Sequence, residues 1–416
     1  MKILIVGNGG REHALVWKAS LSPLVDKIYC TPGNPGTAEL AENIDIAVED
    51  IEALADFSLK NRIDLTIVGP EVPLTLGIVD RFEERGLAIF GPSKLGAELE
   101  GSKVFSKNFM KKYGIPTAAS EIFVSADKAK EYIKSVNLPL VIKADGLAAG
   151  KGVVICHKIE EAFEAVDTIL LDRQFGSAGD KILVEQFLDG VEVSFMVLSD
   201  GQDFIPLVTA KDHKPVYDGN KGPNTGGLGA YAPSPTVTPE LMKKIIERVI
   251  RPTIDGLASE GRLYRGVIYA GLMICDGEPV VLEYNCRFGD PETQPIMFKM
   301  KGDIIPPMVK IAAHQSIKGL DIEWHEGYTV CIVMASGGYP GAYEKGKVIS
   351  GLDDVGGGVV FQAGTKLSGK NIVTNGGRVL GVTSRGATLA EASDNAYKIV
   401  SKISWDGLHY RRDIGR

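Results

Sequence analysis

The chain has 416 residues, 44% of them hydrophobic, enough to bury a large core spread over about two to four domains. Its 53 acidic against 46 basic side chains give a net charge of −7, which excludes binding to nucleic acid or anionic membranes through bulk charge and leaves any phosphate to a local site. Cys30, Cys156, Cys275, Cys286 and Cys331 are scattered without C-x-x-C spacing and read as reduced, mostly buried thiols; with no signal segment and no membrane-length apolar run, a cytoplasmic protein is expected.

The first hundred residues alternate short apolar strands (KILIV at 2–6, DKIYC at 26–30, LTIV at 65–68, LAIF at 87–90) with helical patterns at 11–20, 51–60 and 74–85. That alternation predicts a parallel sheet covered by helices. The strands end in GNGG, TPGNPG, GPE and GPS, so four loops are expected at the sheet edge where such folds bind ligands. The first loop superficially resembles a dinucleotide fingerprint, and the helix after it offers its N-terminus to an anion. However, Glu12 stands where a later glycine belongs, and the second strand ends in Tyr29-Cys30-Thr31 without an acidic residue for a ribose. NAD is therefore not expected; a phosphate site and a simple tight turn both remain open.

An amphipathic stretch at 95–114 leads to Ile115-Pro116-Thr117, and a small α/β module follows at about 118–187. Its centre is VIKADGLAAGKGVVI at 141–155. Lys143 closes an apolar strand, Gly146, Gly150 and Gly152 free the backbone to approach a phosphate, and Lys151 sits between the last two glycines. A P-loop needs a longer spacing and a hydroxyl after the lysine. This pattern reads instead as a strand-loop-strand lid over a triphosphate, with an ordinary glycine hairpin as the alternative.

Strands at 192–198 and 203–208, a glycine-, proline- and asparagine-rich loop at 211–235, an amphipathic helix at 240–260 and strands at 266–274 and 279–285 come next. In VVLEYNCRFGDPETQ, alternation puts Glu283 and Asn285 on one face of a strand, with Arg287 next if the strand continues. A carboxylate, an amide and a cation suit a metal-bridged triphosphate whose terminal group is transferred; a structural Glu/Arg pair is the alternative. From about Trp324, strands at 329–335, 359–364 and 378–384 and a helix at 389–403 predict a small closing α+β domain.

The lysine-flanked glycine loop and the E-x-N-x-R strand together resemble the ATP-grasp superfamily. GNGGREHAL (7–15), GNPGT (33–37), GPE, PNTGGLGAY (223–231) and NCRFGDPETQ (285–294) resemble, more narrowly, the phosphoribosylamine-glycine ligase (glycinamide ribonucleotide synthetase) family across the whole chain. The resemblance implies an α/β and α+β multidomain fold: an N-terminal Rossmann-like parallel sheet (1–101), a central ATP-grasp fold with a lid and a larger antiparallel sheet (102–323), and a C-terminal α+β domain (324–416). It implies ligation of glycine to 5-phosphoribosylamine through glycyl phosphate, with ATP and Mg²⁺ or Mn²⁺.

By the same resemblance, Lys103, Lys143, Gly150, Lys151, Glu185, Phe187, Leu188 and Glu192 bind ATP, while Glu283 and Asn285 hold the metal. Gly9, Gly10, Arg11, Asp212, Lys214, Asn224, Thr225, Arg287, Asp290 and Glu292 surround the other substrates, with Arg287, Lys151 and Asp290 catalytic. A monomer without nucleic-acid or membrane partners is expected. One departure concerns the preceding strand, Tyr269 to Ile274, which lacks the further acidic metal ligand of many ATP-grasp enzymes. His13 and His213 read as either site residues or scaffold, and Trp17 as core. An ATP-grasp carboxylase leaves PNTGGLGAY and RFGDPE unexplained. A non-catalytic nucleotide sensor does not need Lys143, Glu283, Asn285 and Arg287 together.

Overall fold

The computed structural model describes residues 1–147, 152–353 and 355–416. The expected parallel sheet is present, with five strands in the spatial order Glu42–Asn43, Lys27–Pro32, Lys2–Gly7, Leu65–Val68, Ile89–Phe90. Ile3, Leu4, Ile5 and Val6 are fully buried because helices cover both faces of this central strand. The helix expected at 74–85 is two helices, Glu71–Leu76 and Ile78–Glu84. Gly77 between them has φ +94°, a conformation glycine adopts without strain, and the chain turns there.

Helices Lys94–Gly101 and Lys103–Lys112 lead into the lid. Ser102 caps the second by accepting from Phe105 N, and its hydroxyl also reaches Asp145 Oδ1 at 3.0 Å. The lid is a four-stranded antiparallel sheet in the order Ser120–Phe123, Ile182–Gln186, Leu140–Ala144, Val153–Cys156. Helices Ala126–Ile133 and Ile159–Leu170 pack on it through Ala129, Ile133, Ala162, Val166 and Ile169, giving the lid its own core.

Facing the lid is a second antiparallel sheet in the order Phe204–Pro206, Val191–Ser199, Gly266–Cys275, Glu278–Asn285. The helical run behind it extends from Pro239–Ile245 through a π turn to Arg251–Ser259. Ile245, Val249, Ile254 and Leu257 meet Val193, Phe195 and Ile268 in a core shared with the N-terminal sheet.

The segment 211–235 departs most from expectation. It is not a loop: Lys211–Asp212 and Gly229–Ala232 are strands of a six-stranded sheet built mainly from Tyr328–Ser336, Gly358–Gln362 and Arg378–Gly386. Between them Pro215–Tyr217 and Lys221–Asn224 form a hairpin. A Cβ at Gly229 would stand 2.9 Å from the Cys331 carbonyl, so close strand packing explains that glycine. Gly219 and Asn220, both at positive φ, make the hairpin turn. The composition of a loop is here the composition of short, tightly turned strands.

All five cysteines are free, and all but Cys275 are buried. Among the described residues no helix is long and apolar enough to cross a membrane.

Candidate active site

A cavity of about 520 Å³ lies where the lid, the second antiparallel sheet, the N-terminal loops and the C-terminal sheet meet. At one end Val141, Ile155, Phe187, Leu188, Met273 and Leu282 make an apolar slot suited to a flat base. Glu185 lies beside it, 3% exposed, with Oε2 held by Lys143 at 2.9 Å and Lys107 at 3.3 Å. Its Oε1 is buried with no partner among the described residues. A buried acceptor left in that state costs about 1–3 kcal/mol, so a ligand donor at this end satisfies the protein. Burial pushes the Lys107 ammonium down to about 8 against the pull of Glu185.

Lys143 ends the Leu140–Ala144 strand, and its Nζ also donates to the Leu282 carbonyl at 3.0 Å, tying the lid to the facing sheet. Lys103 starts its helix and donates to Gly146 O at 2.7 Å, which anchors the start of the glycine loop. Gly152 lines the cavity. Gly150 and Lys151 lie outside the described residues.

The Glu278–Asn285 strand presents Glu283 and Asn285 to this cavity, as its alternation requires. Lys214 above all, with Lys143, Lys103 and Arg287, overcomes burial and brings the Glu283 carboxyl down to about 2, so it is ionised. Opposite it stands Gly271, where a Cβ would come within 3.3 Å of Glu283 Cγ. The neighbouring strand therefore offers space rather than a further acid. Among the described residues no cluster of three His, Cys, Asp or Glu could hold a metal by itself. One carboxylate and one amide oxygen suit a hard divalent ion whose other ligands are water and phosphate oxygens.

Beyond the strand end, Arg287 turns between two carboxylates instead of continuing the alternation: Nη2 lies 2.9 Å from Glu100 and Nε 3.2 Å from Glu71. Glu292 accepts from Tyr269 OH and from Ser194 Oγ at 2.9 Å. Burial first, then the nearby Glu292 carboxylate, pushes the Asp212 carboxyl well above the usual range. Lys214 is held charged chiefly by Glu192, 3.4 Å away. Thr225 Oγ1 donates to the Lys214 carbonyl at 2.7 Å, and Asn224 joins it on the cavity wall.

The cavity thus brings together Arg11, Lys103, Lys143, Glu185, Phe187, Leu188, Glu192, Asp212, Lys214, Asn224, Thr225, Glu283, Asn285, Arg287, Asp290 and Glu292. Gly9 and Gly10 are the exceptions and do not line it. The Gly9 amide donates to Glu12 Oε2 at 2.6 Å, and a Cβ on Gly10 would stand 2.6 Å from Gln294 Nε2. These glycines permit protein packing, and the anion at the helix N-terminus is the chain's own carboxylate. His13 and His213 lie off the cavity wall; burial lowers each to about 4, and His13 Nδ1 accepts from Gln362 N at 2.8 Å. Trp17 packs against Phe298 and Phe361.

Sequence reasoning missed Lys107, Glu71, Glu100, Tyr269, Tyr339 and Arg378, all on the wall. Arg378 arrives from the C-terminal sheet, donating to the carbonyls of Gly226 and Asp290 and pairing with Asp290 Oδ2 at 3.1 Å. Only Glu71, inside GPE, carried a signal.

Family models match in three consecutive blocks: the phosphoribosylglycinamide synthetase N domain over residues 1–100, its ATP-grasp (A) domain over 101–293 and its C domain over 329–416. The chain is 51% identical over 420 residues to phosphoribosylamine–glycine ligase of Vibrio vulnificus (strain YJ016), covering 100% of this chain and 98% of that one. It is likewise 51% identical over 421 residues to the Escherichia coli (strain K12) protein of that name, again covering 100% of this chain and 98% of that one. The crystal structure of phosphoribosylamine–glycine ligase from Thermotoga maritima matches with a TM-score of 0.88 at 37% identity, over 99% of this chain and 100% of that one. The biotin carboxylase domain of Hydrogenobacter thermophilus 2-oxoglutarate carboxylase, solved with MgADP, matches at TM-score 0.74 and 19% identity over 98% and 91% of the two chains, a likeness of fold alone. With all three family blocks in order and half its residues shared with full-length relatives, the chain belongs to the phosphoribosylglycinamide synthetase family of ATP-grasp ligases.

Proposed function

We propose that the chain joins glycine to 5-phosphoribosylamine in purine biosynthesis, through glycyl phosphate formed from ATP. A glycine carboxylate oxygen attacks the terminal phosphorus and ADP leaves. The amine nitrogen then attacks the acyl carbon, phosphate leaves, and the nitrogen gives up a proton as the amide forms. No covalent enzyme intermediate is required; positioning and charge neutralisation supply most of the rate.

In this reading the apolar slot takes the adenine, Glu185 to Leu188 its edge, and Glu192 the ribose hydroxyls. Lys103 and Lys143, with Gly150 and Lys151 of the lid, take the phosphates. Glu283 and Asn285 hold Mg²⁺ or Mn²⁺, which when bound offsets charge on the phosphate oxygens. Arg287, Asp290 and Glu292 face glycine and the transferred phosphate, with Arg287, Lys151 and Asp290 catalytic. Asp212, Lys214, Asn224, Thr225 and Arg11 surround the phosphoribosylamine. Gly9 and Gly10 serve by setting the turn that aims Arg11. The working units are residues 1–101, 102–323 with the lid near 118–187, and 324–416, acting as a cytoplasmic monomer on small molecules.

The observation that carries this reading is the single cavity. Lid residues Lys143 and Gly146, strand residues Glu283 and Asn285, Arg11 from the first helix and Arg378 from the last sheet wall it together. An acyl phosphate hydrolyses in water, so a site enclosed from several sides suits it. The test is phosphate release from ATP and Mg²⁺ with glycine or phosphoribosylamine omitted in turn. Sustained turnover is expected only with both; equal turnover without either acceptor rules the ligation out.

A further inference from the structure

A second cavity, of about 460 Å³, lies outside the active site. Its walls come from the far end of the first helix, the far end of helix Thr293–Lys299 with the loop after it, and Arg385 of the last sheet. Basic side chains dominate: Lys18, Lys301 and Arg385, with the His325 imidazole beside them, line it against one acid, Asp303, while Lys301 also pairs with Glu323 at 3.0 Å. That acid is engaged, since Asp303 accepts from Ser22 Oγ at 2.6 Å and from Ile305 N at 2.9 Å. Lys18 is 5% exposed and, among the described residues, donates only to the Met300 carbonyl. A buried ammonium has three protons to place and here places one. Arg385 has no carboxylate within 4.0 Å among the described residues; its guanidinium lies 5.9 Å from the Phe298 ring, which itself sits 5.7 Å from Trp17. Burial, then Arg385, Lys18, Lys301 and Lys299, hold the His325 imidazole below its usual range, a sign of converging positive potential.

We propose that this cavity binds a small phosphate-bearing anion. Its volume is that of a small-molecule site, Lys18 and Arg385 offer cationic donors with protons to spare, and Trp17 and Phe298 offer aromatic walls beside them. Its position also links it to the active site. The first helix carries Arg11 at one end and Trp17 and Lys18 at the other, roughly 10 Å away along the axis. The helix Thr293–Lys299 begins beside Glu292 and ends at Met300, whose carbonyl Lys18 holds. An occupant therefore touches the far ends of two helices whose near ends carry active-site side chains.

Titration calorimetry tests this on the full-length protein saturated with a non-hydrolysable ATP analogue and with glycinamide ribonucleotide, which together fill the nucleotide and sugar-phosphate parts of the first cavity. Pyrophosphate and adenosine monophosphate are titrated separately. One saturable site is expected, weakened at least about tenfold by Arg385→Glu, an exposed position whose change leaves the fold and the basal kcat intact. Lys301→Glu, at the rim, is expected to weaken it in the same direction. Tighter binding of the nucleotide assigns the aromatic walls to a base, whereas equal binding assigns the phosphate alone; either supports the site. Absence of saturable heat with both probes, or unchanged affinity in Arg385→Glu, overturns it.

Discussion

Two glycine-rich turns of this chain look alike in sequence and have different neighbours. At the first, Gly7 to Gly10, the space a Cβ would fill at Gly7 and Gly69 is taken by the Glu12 side chain, whose atoms come within 2.4 and 2.0 Å of the two positions. Glu12 is 2% exposed, accepts from Gly9 N and pairs with Arg11. At the second, in the lid, the described glycines Gly146 and Gly152 line the cavity, and Lys103 and Lys143 stand beside them. Glycine reports that something approaches the backbone closely; only the neighbours say whether it is a ligand or the protein's own carboxylate.

The contrast breaks first at Glu283, the acid facing the lid. Glu283→Ala is expected to lower kcat by about 10³ or more, because in the proposed reading it anchors the metal that offsets charge on the transferred phosphate. Circular dichroism should be unchanged, since the side chain faces the cavity. Activity surviving within tenfold of the parent means that the lid cavity is not where phosphate is transferred, and the two turns then have no functional difference.

Glu12 probes the other turn. Glu12→Ala leaves Arg11 nearly buried without its carboxylate and the Gly9 amide without an acceptor, so unfolding free energy should fall by about 3 kcal/mol, read as a shift in urea midpoint. A variant of unchanged stability whose KM for phosphoribosylamine rises instead makes the first turn a substrate site.

The histidines off the cavity wall sharpen the scaffold half of the comparison through pH. Burial holds both His13 and His213 at about 4 against a usual value of 6.5, so both are neutral in the native state at pH 7. As pH falls below 6.5 the unfolded chain takes up protons that the folded chain refuses. The contribution of each neutral histidine is therefore complete above that point, declines between 6.5 and 4, and is gone below, with about 3 kcal/mol lost per histidine. His13→Gln should reduce the slope across that window, measured by urea midpoints at several pH values.

Much of the architecture was legible because it is local. Alternation of apolar strands and amphipathic helices predicts the parallel sheet, and a period of two predicts that Glu283 and Asn285 share a face. What escaped was set by distant partners. Residues 211–235 read as a loop because their strands are two to four residues long, and half of their pairing is with a strand about a hundred residues on. Arg287 falls on the same face only if the strand persists, but the strand ends at Asn285 and Glu71 and Glu100 hold the guanidinium aside. Arg378 and Tyr339 sit in unremarkable sequence, and only the fold carries them to the cavity.

Tyr339 gives the smallest and most discriminating effect. Its hydroxyl accepts from the Gly226 amide at 3.0 Å, while Arg378 holds the carbonyl of the same residue, so the C-terminal sheet grips the turn after Asn224 and Thr225 at both polar groups of one peptide position. The amide is exposed, so water replaces the phenol in Tyr339→Phe and the loss should be under about 1 kcal/mol. That predicts a rise of about two- to fivefold in the KM for phosphoribosylamine, with the kcat of phosphate release nearly unchanged, because the turn is loosened and the chemistry at Glu283 is not. A fall in kcat above about tenfold requires the hydroxyl to touch a reacting group. In that case the last sheet supplies catalysis itself, beyond holding a wall of the site.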